Sequence, residues 1–198
     1  MLVLAIHASG NGIAMALVDL GNTDKKASYV RVMERGQAKV IHTGLQVMFD
    51  QLHIEPRELS GLVVTQGPGS FTGIRAGLAT AHGFSLALHI PVQAIDSFTA
   101  NVPPTIKGPV WVALDTQRKD LFVCRWQFGA LQDGHTMSID AFIAKHGEEP
   151  LPIYGDSEIA IAAQDQKMLD PVSLALRFNP QNASQSLTPI YARAPQIG

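Results

Sequence analysis

A glycine-rich segment is the part of the chain whose residue types and spacing most directly suggest chemistry. It consists of Gly67, Pro68, Gly69, Ser70, Phe71, Thr72 and Gly73. Glycine permits sharp turns, and Ser70 or Thr72 can cap the free N–H groups where a helix begins. Such a helix N-terminus favours a bound anion, because its unpaired N–H groups and the helix dipole both attract negative charge. The chemistry that this segment could support is therefore phosphate binding.

The known phosphate-binding loops have a different spacing. The dinucleotide fingerprint is G-x-G-x-x-G, whereas Gly67, Gly69 and Gly73 are spaced as G-x-G-x-x-x-G. The P-loop places a lysine after its second glycine, and this turn contains no lysine. The spacing therefore favours a turn that only sets the direction of the following helix, rather than a nucleotide-binding loop.

The histidines do not have the spacing of a metallopeptidase site. A zinc site on a helix needs histidines about one turn apart, as in H-x-x-x-H. No two of the seven are four residues apart, and the sequence has no G-x-S-x-G motif of a serine hydrolase. We therefore predict no metal ion and no catalytic residue among His7, His42, His53, His82, His89, His135 and His146.

Two segments carry apolar residues at helical spacing. In Gln37–Leu52 these residues recur at intervals of four, three and four, and in Thr72–Leu88 small residues recur every four. The stripe of small residues would let another helix approach closely, either the first segment or a helix of another subunit. The second alternative predicts a partner interface formed by Ile41, Leu45, Met48, Gly73, Ile74, Gly77, Leu78, Ala81 and Phe84.

The order of the predicted elements indicates the fold class. The first half reads β-β-β-α-β-α-β, with strands over Leu2–Ala8, Ile13–Leu20, Tyr29–Met33, Gly61–Thr65 and Val92–Ile95. The second half restarts with strands over Val110–Leu114 and Leu121–Trp126. Shorter elements follow over Asp140–Lys145, Leu151–Tyr154, Ser157–Gln164, Val172–Arg177 and Pro189–Arg193.

This repeated order predicts an α/β protein with a duplicated ribonuclease-H-like (actin-like ATPase) fold. Mixed sheets would carry flanking helices, and the second lobe would be reduced. Pro103-Pro104 marks the expected boundary between an N-terminal lobe, residues 1–102, and a C-terminal lobe, residues 103–198.

An ATP-dependent enzyme of this superfamily is the remaining catalytic alternative. It would need carboxylates to hold Mg²⁺ near the phosphates. His7 stands where the first strand would supply one, and Asp115 alone is more typical of a turn residue. We therefore predict no cofactor.

Composition limits the remaining function classes. Hydrophobic residues make up 46% of the 198 residues and charged residues 16%, with a net charge of −2. This is a globular composition without the positive field typical of nucleic-acid-binding proteins. The single cysteine, Cys124, excludes an internal disulfide. With no secretory leader pattern and no apolar stretch of membrane-spanning length, we predict a cytoplasmic protein.

The segment from Gly67 to Ala81 resembles the TsaB (YeaZ) family. That family shows a Gly-Pro-Gly-Ser-Phe-Thr-Gly turn followed by a helix rich in glycine and alanine that contains an arginine, here Arg75. Weaker similarities lie at Ala113-Leu114-Asp115, at Tyr154-Gly155-Asp156 and at Pro189–Pro195. The family usually opens with an Asp-Thr-Ser-like sequence, where this chain has His7-Ala8-Ser9.

The resemblance implies a two-lobed accessory protein without catalysis of its own. It implies a complex with the related enzyme TsaD and the small ATPase TsaE, which transfers threonylcarbamoyl to the adenosine beside the tRNA anticodon. The chain would contact tRNA only indirectly. The resemblance also places the TsaD contact, and a competing homodimer contact, on Gln37–Leu52 and Thr72–Leu88.

Overall fold

The computed structural model describes residues 1–33, 36–127, 129–164, 169–183 and 187–191. Its first sheet has five strands: β1 (Leu2–His7), β2 (Gly12–Asp19), β3 (Asn22–Val32), β4 (Leu59–Thr65) and β5 (Val92–Ile95). The spatial order is β3-β2-β1-β4-β5, in which β1, β2 and β3 form an antiparallel meander and β1, β4 and β5 run parallel. The central strands β1 and β4 are mostly apolar and almost wholly buried because both of their faces are covered.

Helices α1 (Gln37–Leu52) and α2 (Phe71–Leu88) cover one face of this sheet. Each buries the apolar face that its sequence spacing predicts, and each ends at a histidine in the left-handed conformation, His53 and His89. A short helix, α3 (Ser97–Asn101), follows β5, and a 3₁₀ turn, Pro56–Glu58, precedes β4. The core between helices and sheet includes Leu4, Ile6, Met15, Met48 and Leu62.

The second sheet repeats this plan on a smaller scale. Strands β6 (Val110–Asp115), β7 (Asp120–Gln127), β8 (Ala130–Ser138) and β9 (Ile153–Tyr154) lie in the order β8-β7-β6-β9. Helix α4 (Ile139–Glu148) connects the meander to β9, and α5 (Glu158–Gln164) follows it. The two sheets therefore share one topology, which confirms the duplicated fold. In the described part of the second half, no strand corresponds to β5.

The C-terminal residues return to the first sheet. Helix α6 (Pro171–Ala175) covers the sheet face opposite α1 and α2, where Leu174 and Phe178 pack with Val3 and Val63. A 3₁₀ turn, Pro180–Asn182, follows. Residues of the segment 169–178 therefore pack on the first sheet, although they follow the second sheet in the chain. The lobe boundary after residue 102 stays a prediction.

Some elements were not predicted from the sequence, and others were predicted too short. Strand β8 and helix α3 are absent from the predicted order. Strand β3 begins at Asn22 rather than at Tyr29, and α4 spans Ile139–Glu148 rather than Asp140–Lys145. Both β3 and β8 are edge strands whose polar residues face solvent, so they lack the apolar alternation that reveals a half-buried strand. Of the predicted segment Pro189–Arg193, residues 192–193 lie outside the described part of the chain.

Candidate functional site

The glycine-rich turn lies at the carboxyl ends of the parallel strands β1, β4 and β5. The Gly67 carbonyl accepts a hydrogen bond from Ser97 N–H at 2.7 Å, and Ser70 N–H donates to the Ser9 carbonyl at 2.7 Å. A β-carbon on Gly69 would collide with the carbonyl of Ser9, and one on Gly73 with the carbonyl of Ala8. Glycine is therefore required at these two positions by close backbone approach within the chain.

Several N–H groups at the start of α2 are already bonded within the fold. Ser70 is the N-cap: its Oγ accepts from Gly73 N–H at 3.3 Å, and its carbonyl accepts from Ile74 N–H at 2.8 Å. Ser70 itself is held by the end of β1, as described above. The geometry fits a turn that sets the direction of α2 rather than a nucleotide-binding loop, as the motif spacing favours.

A buried cluster of hydroxyl groups and one imidazole lies directly beneath the turn. Ser9 Oγ is 2.8 Å from Ser97 Oγ and 3.1 Å from Thr65 Oγ1. His7 Nδ1 is 3.1 Å from Thr65 Oγ1 and 3.3 Å from Ser9 Oγ. The four side chains are nearly inaccessible to solvent, so the Ser9 hydroxyl is a structural hydrogen-bonding group rather than an available nucleophile.

The two halves of the chain meet beside this cluster, at the loop between β1 and β2. Asn11 Nδ2 donates to the Asp156 carbonyl at 3.0 Å and to Asp115 Oδ2 at 3.3 Å. The Asp156 carboxylate accepts from Asp115 N–H at 2.9 Å. A β-carbon on Gly10 would collide with both the Asp156 carboxylate and the His7 ring, so these two groups face each other across Gly10.

Burial shifts the pKa values of the two facing groups in opposite directions. Desolvation lowers the pKa of His7 to about 4, so its imidazole is neutral at pH 7. Desolvation, with the nearby Asp115 carboxylate, raises the pKa of Asp156 to about 6 against the hydrogen bond from Asp115 N–H. Among the residues that the structure describes, no three His, Cys, Asp or Glu side chains are grouped as metal ligands.

The side chains predicted to form the partner interface lie mostly inside the molecule. A β-carbon on Gly77 would lie 3.6 Å from both Ile6 and Val64, so Gly77 faces the chain's own sheet. Phe84 is half-buried and packs against Phe49. The structure favours the internal alternative for the other residues of the set, which are buried: Ile41, Leu45, Met48, Gly73, Ile74, Leu78 and Ala81.

Periodicity identifies the apolar face of a helix but not the partner that covers it. The outer faces of α1 and α2 consist of other residues. Val47 is 45% exposed and Leu86 is 63% exposed. Gly83 is exposed, and a β-carbon there would meet no atom within 4 Å. Arg75 is the one residue of α2 whose charge is permanent at neutral pH.

Arg75 and Phe71 hold the C-terminal segment against the glycine-rich turn. The Arg75 guanidinium lies 4.1 Å from the centre of the Phe71 ring, and its Nε donates to Tyr191 Oη at 3.2 Å. The Tyr191 and Phe71 rings are 5.0 Å apart, and Ile190 N–H donates to the Gln66 carbonyl at 2.7 Å. Sequence reasoning missed these contacts, because nothing local links residues more than a hundred positions apart. The remainder of the predicted motif, residues 192–195, lies outside the described residues.

The fold and the site together define a protein with a duplicated ribonuclease-H-like fold. A buried histidine ends β1 at the junction between the two halves, and the outer face of the helix pair α1 and α2 carries little charge. No helix in the described ranges is both long and apolar enough to cross a membrane.

The family follows from comparison with known proteins. A model of the family TsaD, tRNA N6-adenosine threonylcarbamoyltransferase, matches residues 31–183. The chain belongs to this family. It is 30% identical over 97 residues to the tRNA threonylcarbamoyladenosine biosynthesis protein TsaB of Bacillus subtilis, covering 49% of this chain and 42% of that protein. It is 26% identical over 197 residues to an uncharacterised protein of Mycobacterium tuberculosis, covering 98% and 92%.

Solved structures show the same fold. An uncharacterised protein with similarity to peptidase YeaZ from Pseudomonas aeruginosa superposes with a TM-score of 0.70 at 17% identity, covering 97% of this chain and 99% of that chain. YeaZ from Pseudomonas aeruginosa superposes with a TM-score of 0.57 at 20% identity, covering 69% and 65%. At these identities the similarity establishes the architecture alone.

Proposed function

We propose that this protein is a non-catalytic accessory subunit in the synthesis of threonylcarbamoyladenosine on tRNA. It would bind a TsaD-type enzyme and support transfer of threonylcarbamoyl to the adenosine beside the anticodon. Family membership and the TsaB name of its relatives support this role. A TsaE-type ATPase would join the complex, and the chain would contact tRNA only through its partners. The site of action would be the cytoplasm.

The observation that supports the absence of catalysis is the set of side chains at the junction between the two halves. Phosphate transfer in this superfamily would need carboxylates that hold Mg²⁺. At the end of β1 the chain has His7, whose neutral ring is bonded to Thr65 and Ser9. The Asp115 carboxylate accepts from Asn11 Nδ2 and from Gln117 N–H, and the Asp156 carboxylate accepts from Asp115 N–H. An ATP-dependent enzyme and a metallopeptidase are therefore the disfavoured alternatives.

The outer faces of α1 and α2 are the surface that we propose for the TsaD-type partner, or for a second copy of the chain. Exposed Val47 and Leu86 give this surface apolar area, and α2 adds no acidic side chain. Interface centres are typically depleted of charge in this way. Gly83 would allow a partner helix to approach closely, because it leaves open space on the surface of α2.

Co-purification tests the partner, and assays on the purified chain test the absence of catalysis. We expect the tagged chain to retain the TsaD-type enzyme of its own cell, and to show neither stoichiometric zinc nor steady ATP turnover by itself. Retention of no TsaD-type enzyme would contradict the accessory role. ATP turnover by the isolated chain that is abolished by substitution of His7, Asp115 or Asp156 would establish the enzyme alternative instead.

A further inference from the structure

A cavity separate from the His7 cluster lies beside the carboxyl ends of β4 and β5. Its volume is about 620 Å³, within the range of small-molecule sites. Gln66 and Asp96, the residues that directly follow the two strands, contribute to its wall. In open α/β sheets, the carboxyl ends of parallel strands are the usual place for ligands. Leu176 also lines the cavity and is 49% exposed, which places it at the mouth.

Two opposite charges face this cavity without forming an ion pair. No ion pair between Asp96 and Arg177 occurs within the described part of the chain. Arg177 donates through Nη2 to the Val102 carbonyl, while its Nε is buried and has no partner among the described residues. Asp96 uses Oδ1 to accept from Thr99 N–H at 2.8 Å, which leaves its second oxygen for another donor. Arg177 lines the cavity, so an anionic group of a ligand there would be attracted by the guanidinium charge.

Two glutamine side chains add polar groups to the wall of the cavity. Gln93 Oε1 accepts from Asn179 N–H at 2.7 Å, which orients the amide, and Gln66 adds a second amide to the wall. The charges of Asp96 and Arg177 balance, so the cavity has no excess positive charge to attract a polyphosphate. A molecule with one cationic and one anionic end would offer each of the two charged residues a group of opposite charge.

We propose that this cavity binds a small zwitterion of the α-amino acid class, with its carboxylate at Arg177 and its ammonium group at Asp96. The apolar wall at Ala94, Ile95 and Pro104 would then contact the amino-acid side chain. The site is independent of the proposed partner surface, because none of its lining residues belongs to α1 or α2.

Calorimetric titration of the full chain with common α-amino acids tests the proposal. The matched controls are N-acetyl amino acids, which lack the ammonium charge, and amino-acid amides, which lack the carboxylate. We expect binding of at least one free amino acid, and binding roughly tenfold to a hundredfold weaker for both of its derivatives, the range for losing a hydrogen bond to a charged group. No binding of any free amino acid at millimolar concentration would overturn the proposal, as would equal binding of the derivatives.

Two variants tie the binding to this cavity. Asp96→Asn removes the charge but keeps a side chain that caps α3 well, so the fold is retained. Leu176→Trp fills the mouth without changing a charge. We expect each to weaken binding at least tenfold, with an unchanged circular dichroism spectrum, while Ile143→Trp on exposed α4 leaves it unchanged. Binding that survives both cavity substitutions would overturn the assignment. Failure of this test leaves the accessory role untouched, since that role rests on co-purification with the TsaD-type enzyme.

Discussion

His7 and Asp156 are two buried titratable groups whose effects on stability oppose each other. The folded-state pKa of His7 lies below its ordinary value of 6.5, so its contribution to stability is lost as the pH falls from 6.5 through about 4. The folded-state pKa of Asp156 lies above its ordinary value of 3.8, so its contribution is lost as the pH rises through about 6. Between pH 4 and pH 6 the two contributions partly cancel.

Replacing either group leaves only the pH dependence of stability that the other group causes. In Asp156→Asn, we expect the free energy of unfolding to fall more steeply than in wild type as the pH drops from 6.5 to 4, by up to about 3 kcal/mol, because protonating buried His7 is unopposed. In His7→Asn, the slope should change in the opposite direction. Urea unfolding of the three proteins at a series of pH values measures both. Equal slopes in the two variants would show that these groups do not have the inferred pKa shifts.

At the residue scale, the sequence predicted positions but not their mutual contacts. The glycine-rich turn could be predicted because glycine, proline and serine at this density mark a strand-to-helix turn. The approach of Gly69 to Ser9 could not, since it depends on how β1 and β4 pair. Asp156 is likewise remote from His7 in sequence. Only the packing of the two sheets brings these residues together.

At the scale of the element, two mid-helix glycines of α2 lie on opposite faces, one toward the core and the other toward solvent. Gly77 contacts the sheet, whereas Gly83 is surrounded by open space. A mid-helix glycine costs roughly 1 kcal/mol relative to alanine, and no internal packing accounts for Gly83. A substitution at Gly77 therefore tests the packing of α2 on the sheet, and a substitution at Gly83 tests its proposed role in binding.

Gly83→Leu should fold normally and bind the TsaD-type partner at least about tenfold more weakly, because overpacking one contact costs about 1–3 kcal/mol. Gly77→Leu should instead destabilise the isolated chain by a similar amount, since its side chain would enter the core. Gly147→Leu is the matched control: Gly147 lies in α4 and also faces open space. Sedimentation of each variant with and without the partner makes the comparison. Normal association of Gly83→Leu would place the interface elsewhere.

The sequence predicted best those elements that have one buried apolar side and one exposed polar side. Helix α1 was predicted with its observed bounds, because its apolar residues recur on one side and polar residues fill the other. Strand β8 was missed because it is a polar edge strand. The periodicity of α1 and α2 also could not reveal that their apolar faces cover the chain's own sheet. Most of the residues predicted for the interface are buried within the chain.

At the scale of the whole molecule, the C-terminal segment joins the packing of the first sheet. Phe178 fills the space beside Gly61, where a β-carbon would collide with its ring. Phe178→Ala should therefore destabilise the protein by about 3–5 kcal/mol. Native-state hydrogen exchange should accelerate more for the amides of β4 than for those of β6. Ile143→Ala, an exposed apolar position, should change stability by less than about 0.5 kcal/mol. Faster exchange confined to β6 and β7 would contradict this packing.

The whole-molecule proposal is an accessory subunit that acts through its partner rather than through chemistry of its own. The measurement that tests it most directly is the threonylcarbamoyladenosine content of tRNA, by nucleoside mass spectrometry, in cells depleted of this protein. The content should fall on depletion. It should be restored by wild type and by Asp156→Asn, a variant at the junction between the two halves, but less well by Gly83→Leu. Unchanged threonylcarbamoyladenosine in depleted cells would contradict the proposed function.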